Sequence, residues 1–246
     1  MSFPVVIQGT ETEHRNDYAE QRFELGQKMI TVDGRAYRFH KAGASTLVVG
    51  DVVDGPANIT NHLATAAVAR AAGATTIAAT LGATASAKDQ YQGGYASIVL
   101  TPGGGETYIL NRSPNITTHE AVASAGVITA TLANGETIVT ALTTTSDVTW
   151  VLNPYSGTIQ SPITTLISQM IGVAVKATTA DRFGWIQTRG IASVLASGTI
   201  VVGNNVVRLV AAAGAAGPAA AATSEVLGRA NAVGSTWTVV DLTIDG

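Results

Sequence analysis

The chain is predicted to be all-β: two small β-barrel or β-sandwich domains, preceded by an N-terminal arm and a hairpin. Three observations predict this. Short runs rich in Val, Ile and Thr recur along the 246 residues, separated by Gly, Asn, Asp and Pro turn signals. Hydrophobic residues make up 46% of the chain but aromatics only 5%, so Val, Ile, Leu and Ala must fill the core. The length suits one large β domain or two small ones. The expected boundaries are an arm over 1–27, a β-rich domain over 28–155 and a second over 156–246.

The arm carries a disproportionate share of the charge: Glu11, Glu13, His14, Arg15, Asp17, Glu20, Arg22 and Glu24, after the apolar Phe3, Val5, Val6 and Ile7. It reads either as a segment that docks elsewhere or as a frayed terminus. Lys28–Val32 and Arg35–Lys41 flank Asp33-Gly34, a pair suited to a tight two-residue turn. Gly43, Gly50-Asp51 and Asp54-Gly55-Pro56 punctuate the next stretch of chain. Ala64–Ala72 could propagate a helix on propensity alone. The β-branched Thr75-Thr76-Ile77, bounded by Gly73 and Gly82, favours a strand pair instead.

Tyr95–Leu100 and Glu106–Leu110 straddle Pro102-Gly103-Gly104-Gly105 as a second hairpin. Val127–Leu132 and Thr137–Leu142 straddle Asn134-Gly135 as a third. Val148–Leu152 ends at Asn153-Pro154, and Ser156–Pro162 reads as a connector. Ile163–Ile171 fits either a short helix or a loop with a strand. Strands are expected at Gly172–Lys176, Phe183–Thr188, Thr199–Val202, Val206–Val210 and Thr236–Ile244. Leu209–Ala222 is interrupted by Gly214, Gly217 and Pro218 and reads as a small-residue loop, shorter than the ~20 residues a bilayer demands.

Composition narrows the function classes. Only 13% of residues are charged, no cysteine is present, and the formal charge is −3. Thiolate metal sites and disulfides are excluded, and neither nucleic acid nor an anionic membrane is an expected partner. Met1-Ser2-Phe3-Pro4 opens no basic and apolar leader, so no secretory signal is expected. The sequons at Asn58 and Asn115 then read as chance matches.

Sites of chemistry are sparse. His14, His40, His62 and His119 are scattered, with no pair at metal-ligand spacing. Asp51 and Asp54 share a turn but lack the calcium-loop ligand series. No Gly-x-Ser-x-Gly elbow occurs. Gly103-Gly104-Gly105 precedes a strand and has no following Lys, which argues against a phosphate loop. Arg182, Trp185 and Arg189 could form a cation–π cluster, with Trp185 and Arg189 on one strand face. Trp150, Tyr155, Trp185 and Trp237 sit within apolar strand patterns and are expected to be buried. No catalytic residue, metal ligand or cofactor is assigned, and no enzymatic activity is expected.

Three stretches carry a family likeness. One is Leu25-Gly26-Gln27-Lys28 running into Val32-Asp33-Gly34-Arg35-Ala36-Tyr37-Arg38-Phe39 and Lys41-Ala42-Gly43-Ala44. Another is Ala72-Gly73-Ala74-Thr75-Thr76 through Thr80-Leu81-Gly82-Ala83-Thr84-Ala85 to Gln90-Tyr91-Gln92-Gly93-Gly94-Tyr95. The last joins Phe183-Gly184-Trp185-Ile186-Gln187-Thr188-Arg189-Gly190 with Gly198–Gly203, Val226-Leu227-Gly228-Arg229-Ala230 and Val239-Val240-Asp241-Leu242. In these the chain resembles virion structural proteins of tailed bacteriophages, most of all capsid decoration (cement) proteins. The resemblance implies a protein made in the host cytoplasm that sits on the outer capsid surface. Its partners would be the major capsid protein and copies of itself, as a homo-oligomer and foremost a trimer. The alternatives are a tail, baseplate or fibre-associated protein and a receptor- or carbohydrate-binding β module.

Overall fold

The computed structural model describes residues 6–163, 165–219 and 225–245. The class is all-β, with helical pieces among the described residues limited to two 3-10 turns at Glu13–Arg15 and Thr60–His62. The strands are β1 (Val6–Gln8), β2 (Lys28–Ile30), β3 (Ala36–Ala42), β4 (Val52–Asp54), β5 (Thr65–Ala66), β6 (Thr76–Thr80), β7 (Tyr95–Ile98), β8 (Thr107–Ile109) and β9 (Val127–Thr131). They continue with β10 (Asp147–Val151), β11 (Ser156–Gln160), β12 (Met170–Ala174), β13 (Phe183–Leu195), β14 (Asn205–Arg208), β15 (Ala216–Pro218), β16 (Val226–Ala230) and β17 (Trp237–Thr243).

The chain divides into two units, but not at the expected boundaries. Unit 1 joins 1–56 to 154–246, and unit 2 is the insert 57–153. The segment 28–56, assigned from sequence to the same domain as 57–155, instead pairs with strands beyond residue 154. β11 and β13 both flank β3, and β12 flanks β4. Pairing over more than a hundred residues leaves no local trace in the sequence, so the discontinuity was invisible there.

Unit 1 is organised around β13. Its first half pairs with β12 and β3, and the ring β3-β11-β4-β12-β13 closes on itself as a five-stranded barrel. Ala42, Leu47, Val53, Ile171, Ala174 and Ile186 fill it. A register slip between Gln187 and Arg189, followed by Gly190 at φ +82, redirects the strand. Its second half, Arg189–Leu195, then pairs with β17. From there the sheet runs β17-β16-β14-β15, and β15 returns to the end of β13 through an Ala196–Ala216 bridge. Val194, Val206, Leu227, Val240 and Leu242 lie within this second curl.

The described part of the arm is integral to unit 1. β1 pairs in parallel with β2, and Tyr18 bridges Phe183. His14 stacks on Tyr37 at 4.9 Å, and Phe23 lies 5.3 Å from Phe39 and 5.2 Å from Trp185. The arm thus roofs the aromatic outer face of the barrel, whose other side holds the aliphatic residues. Residues 1–5, including Phe3 and Val5, lie outside the described residues.

Unit 2 is a smaller closed assembly. One sheet runs β5-β10-β7-β8 and a second pairs β6 with β9. Isolated bridges Ala67–Ala79 and Leu110–Leu132 join the two sheets at both edges. Ile77, Tyr91, Ile98, Tyr108, Ile128 and Trp150 pack between them.

Several local expectations hold: the β2–β3 and β7–β8 hairpins form, and 64–72 is not helical, although the strand pair expected there is reduced to an Ala67–Ala79 bridge because β5 and β6 lie in different sheets. Others need correction. Ile30 pairs with Ala36 and Thr31 N–H donates to Arg35 O, so the Asp33-Gly34 hairpin has a three-residue tip with Gly34 at φ +84, not a two-residue turn. The third hairpin does not form. β9 pairs with β6, and Ile138 and Leu142 hydrogen-bond Ala74 and Arg70. The turn signal at Asn134-Gly135 was real, but the next segment found a different partner. Ser156–Gln160 is a barrel strand rather than a connector, and Ala216–Pro218 is a short strand within the expected loop. Thr199–Val202 makes only a bridge at Ile200. Ile163–Ile171 resolves as loop into strand, with Thr164 outside the described residues.

Candidate functional site

The four histidines are far apart in role. His40 lies inside the barrel, fully buried, with Nδ1 2.8 Å from Thr158 Oγ1 and Nε2 3.5 Å from Thr178 Oγ1. A Cβ on Gly184 would sit 2.9 Å from that threonine hydroxyl and 3.5 Å from the ring, so a side chain there would crowd Thr178. Burial pushes the His40 pKa down to about 3. His14 is also lowered, first by burial and then by Arg35 and Arg15.

In unit 2, His62 and His119 flank Tyr91. His62 Nε2 lies 2.8 Å from Thr84 O, while Nδ1 meets the Tyr91 hydroxyl. His119 Nδ1 lies 2.8 Å from Glu120 O, and Nε2 accepts from Tyr91 N–H at 3.2 Å. Each ring therefore donates at one nitrogen and accepts at the other, the pattern of a neutral imidazole with nothing left over for a substrate. Burial depresses the His119 pKa and raises that of Tyr91.

Asp51 and Asp54 face different partners. Asp51 accepts from Val48 N–H and from Gln160 Nε2. Asp54, with no exposed surface, pairs with Arg208 at 2.5 Å, and Arg208 reaches Glu225 at 2.6 Å. Burial pushes the Asp54 carboxyl up to about 6 against the pull of Arg208. The sequence offered Val206–Val210 only as an apolar strand. A buried arginine within it was the missed signal, since a guanidinium at a core position demands a carboxylate elsewhere. Among the described residues no three His, Asp or Glu side chains gather as a metal site. No helix among them is long and apolar enough to cross a membrane.

The expected Arg182–Trp185–Arg189 grouping does not form. Arg182 pairs with Asp17 at 3.4 Å, Trp185 is buried under Phe23, and Arg189 is exposed beyond the register slip. The slip breaks the period-two spacing on which that grouping depended. Gly103–Gly105 caps the β7–β8 hairpin. Trp150 and Trp185 are buried and Tyr155 half-buried, but Trp237 is 46% exposed. The expected burial of Trp237 is thus corrected, and strand alternation is the reason: Thr238, Val240 and Leu242 point to the core, which places Trp237, Val239, Asp241 and Thr243 on the opposite face.

Trp237 has exposed apolar residues near it. Its ring covers Gly50, where any Cβ would collide with it, and the exposed Val48 and Val49 precede that glycine. The Ile200–Gly234 bridge brings exposed Val201, Val202 and Val233 to the same end of unit 1. The contributing segments 43–50, 190–207 and 230–240 contain no Asp, Glu, Lys or Arg. Depletion of charge around an exposed aromatic is the compositional mark of an interface core.

No family model, curated protein or solved structure matches the chain.

Proposed function

We propose that this chain is a structural virion protein that binds the outer surface of a phage capsid and ties neighbouring capsid subunits together. Its partners are the major capsid protein and further copies of itself. The observation that carries the reading is exposed Trp237 beside Val48 and Val49, in segments of unit 1 that hold no charged residue, of the kind that adheres to another protein. The use of the buried ionisable groups supports it. His40, His62, His119, Asp51 and Asp54 are each engaged in holding strands and loops. The resemblance of most of residues 25–246 to decoration proteins points the same way. Many weak copies on a repeating lattice gain avidity without strong single contacts.

Mass spectrometry and electron microscopy of the particles whose genome encodes this chain test the reading. The expected result is many copies at icosahedral positions outside the shell. Density on the tail axis would move the protein to the tail or baseplate class, and absence from purified particles would overturn the virion role. A carbohydrate-binding module is the second reading, favoured by the exposure of Trp237. Binding on a glycan array that is lost in Trp237→Ala would favour it over the capsid role.

A further inference from the structure

The outer face of the sheet β13-β17-β16 carries charges of both signs, and Asp33 and Arg35 of the β2–β3 hairpin line the same depression as Arg189, Ile191 and Asp241. Antiparallel register places Ile191 opposite Asp241, and Asp241 opposite Arg229, in one cross-strand row. Arg189 lies one row beyond, opposite Thr243, while Val239 and Trp237 continue the face in the other direction. Ile191 and Trp237 are each 46% exposed, and Arg189, Arg229 and Asp241 are exposed as well. Among the described residues none of these three charges takes part in an ion pair, although Arg229 and Asp241 are direct cross-strand neighbours. Other arginines of unit 1 are paired, Arg35 with Asp33 and Glu11, Arg38 with Asp245, and Arg182 with Asp17, while Arg15 and Arg22 share the unpaired state of Arg189 and Arg229 among the described residues.

We propose that this face binds the same face of a second copy of the chain, with Trp237, Val239 and Ile191 as the apolar centre and Asp241 set against Arg189 or Arg229 of the other copy. The charge pattern suits that occupant. A partner surface of one sign would meet its own sign on either the arginines or the aspartate. A surface with acid and base in adjacent positions complements itself under a two-fold axis, and each pairing then occurs twice. Tryptophan and arginine are also the residues that most often dominate binding energy at such centres. The proposal rests on the reading given above and assigns its self-association to named residues, but as a two-fold pair in place of the trimer that the resemblance implied. Its test nevertheless needs no particle.

Sedimentation equilibrium of the purified full chain across roughly 1–100 µM covers the range in which a single-interface dimer of micromolar Kd titrates. The expected result is a rise in mass from the 25.0 kDa of one chain toward twice that value. Asp241→Arg leaves three cations on the face and should abolish the rise. Combining Asp241→Arg with Arg189→Asp and Arg229→Asp exchanges the signs and should restore it. Trp237→Ser should weaken association at least ~10-fold. All four positions are exposed, so an unchanged thermal midpoint serves as the folding control. A wild-type chain that stays monomeric throughout, an Asp241→Arg variant that associates like wild type, or a sign-exchanged variant that stays apart would each overturn the proposal. Failure here leaves the particle experiment free to succeed, and the converse holds too.

Discussion

Acid should destabilise unit 1 through His40, and the size of the effect is set by its surroundings. The ring touches two threonine hydroxyls and the space left by Gly184, and burial is the sole cause of its depressed pKa. The unfolded chain takes up a proton near pH 6.5, while the native chain resists until about pH 3. Between those values the unfolded state binds more protons, so stability falls as the pH is lowered. This one group contributes about 1.4 kcal/mol per pH unit, on the order of 5 kcal/mol across the whole window. Above pH 6.5 its contribution is flat. His14 and His119 act in the same direction. Asp54, raised to about 6, runs the opposite way between its ordinary value and that pH. Comparison with His40→Gln isolates the one ring. Urea unfolding at pH 7 should show the variant less stable by about 1–3 kcal/mol for its poorer fit. By pH 4 wild type should have lost about 3 kcal/mol that the variant never had to lose, so the two curves converge or cross. Parallel stability curves from pH 7 to pH 4 would refute the buried-histidine reasoning.

Two further perturbations probe the framework of unit 1. Removing residues 1–24 strips Phe23 from Phe39 and Trp185, and Phe23→Ala alone should cost about 1–3 kcal/mol in a urea titration; an unchanged midpoint would show that the arm contributes no packing. Arg208→Ala leaves the fully buried Asp54 without its cation and should cost about 3–5 kcal/mol at pH 7, with part regained at pH 5 as the carboxyl protonates; a cost below ~1 kcal/mol would show that water reaches the pair.

How much was legible depended on how far each partner lies along the chain. The β2–β3 and β7–β8 hairpins were readable because strand, turn and partner fall within about twenty residues, and the glycines at their tips mark where the chain reverses. The Asn134-Gly135 turn was equally readable. Its second strand was not, because Ile138 and Leu142 are drawn to Ala74 and Arg70, more than sixty residues earlier. Alternation along 236–244 contained the exposure of Trp237, although its apolar neighbours pointed to burial. The pairing of Asp54 with Arg208 spans the whole of unit 2 and had no local sign beyond the presence of an arginine among valines.

Composition and turn spacing by themselves determined the all-β class, most strand positions and the dependence on aliphatic packing, since those properties arise from backbone preference and short-range pattern. Tertiary structure alone decided that 57–153 is an insert, that β13 serves two curled sheets, that the arm roofs its own barrel, and which ionisable groups are buried. The physical reason is that strand pairing and burial are contracts between distant segments. The backbone hydrogen bonds that make them are the same for every residue, so only the packed whole selects among the available partners.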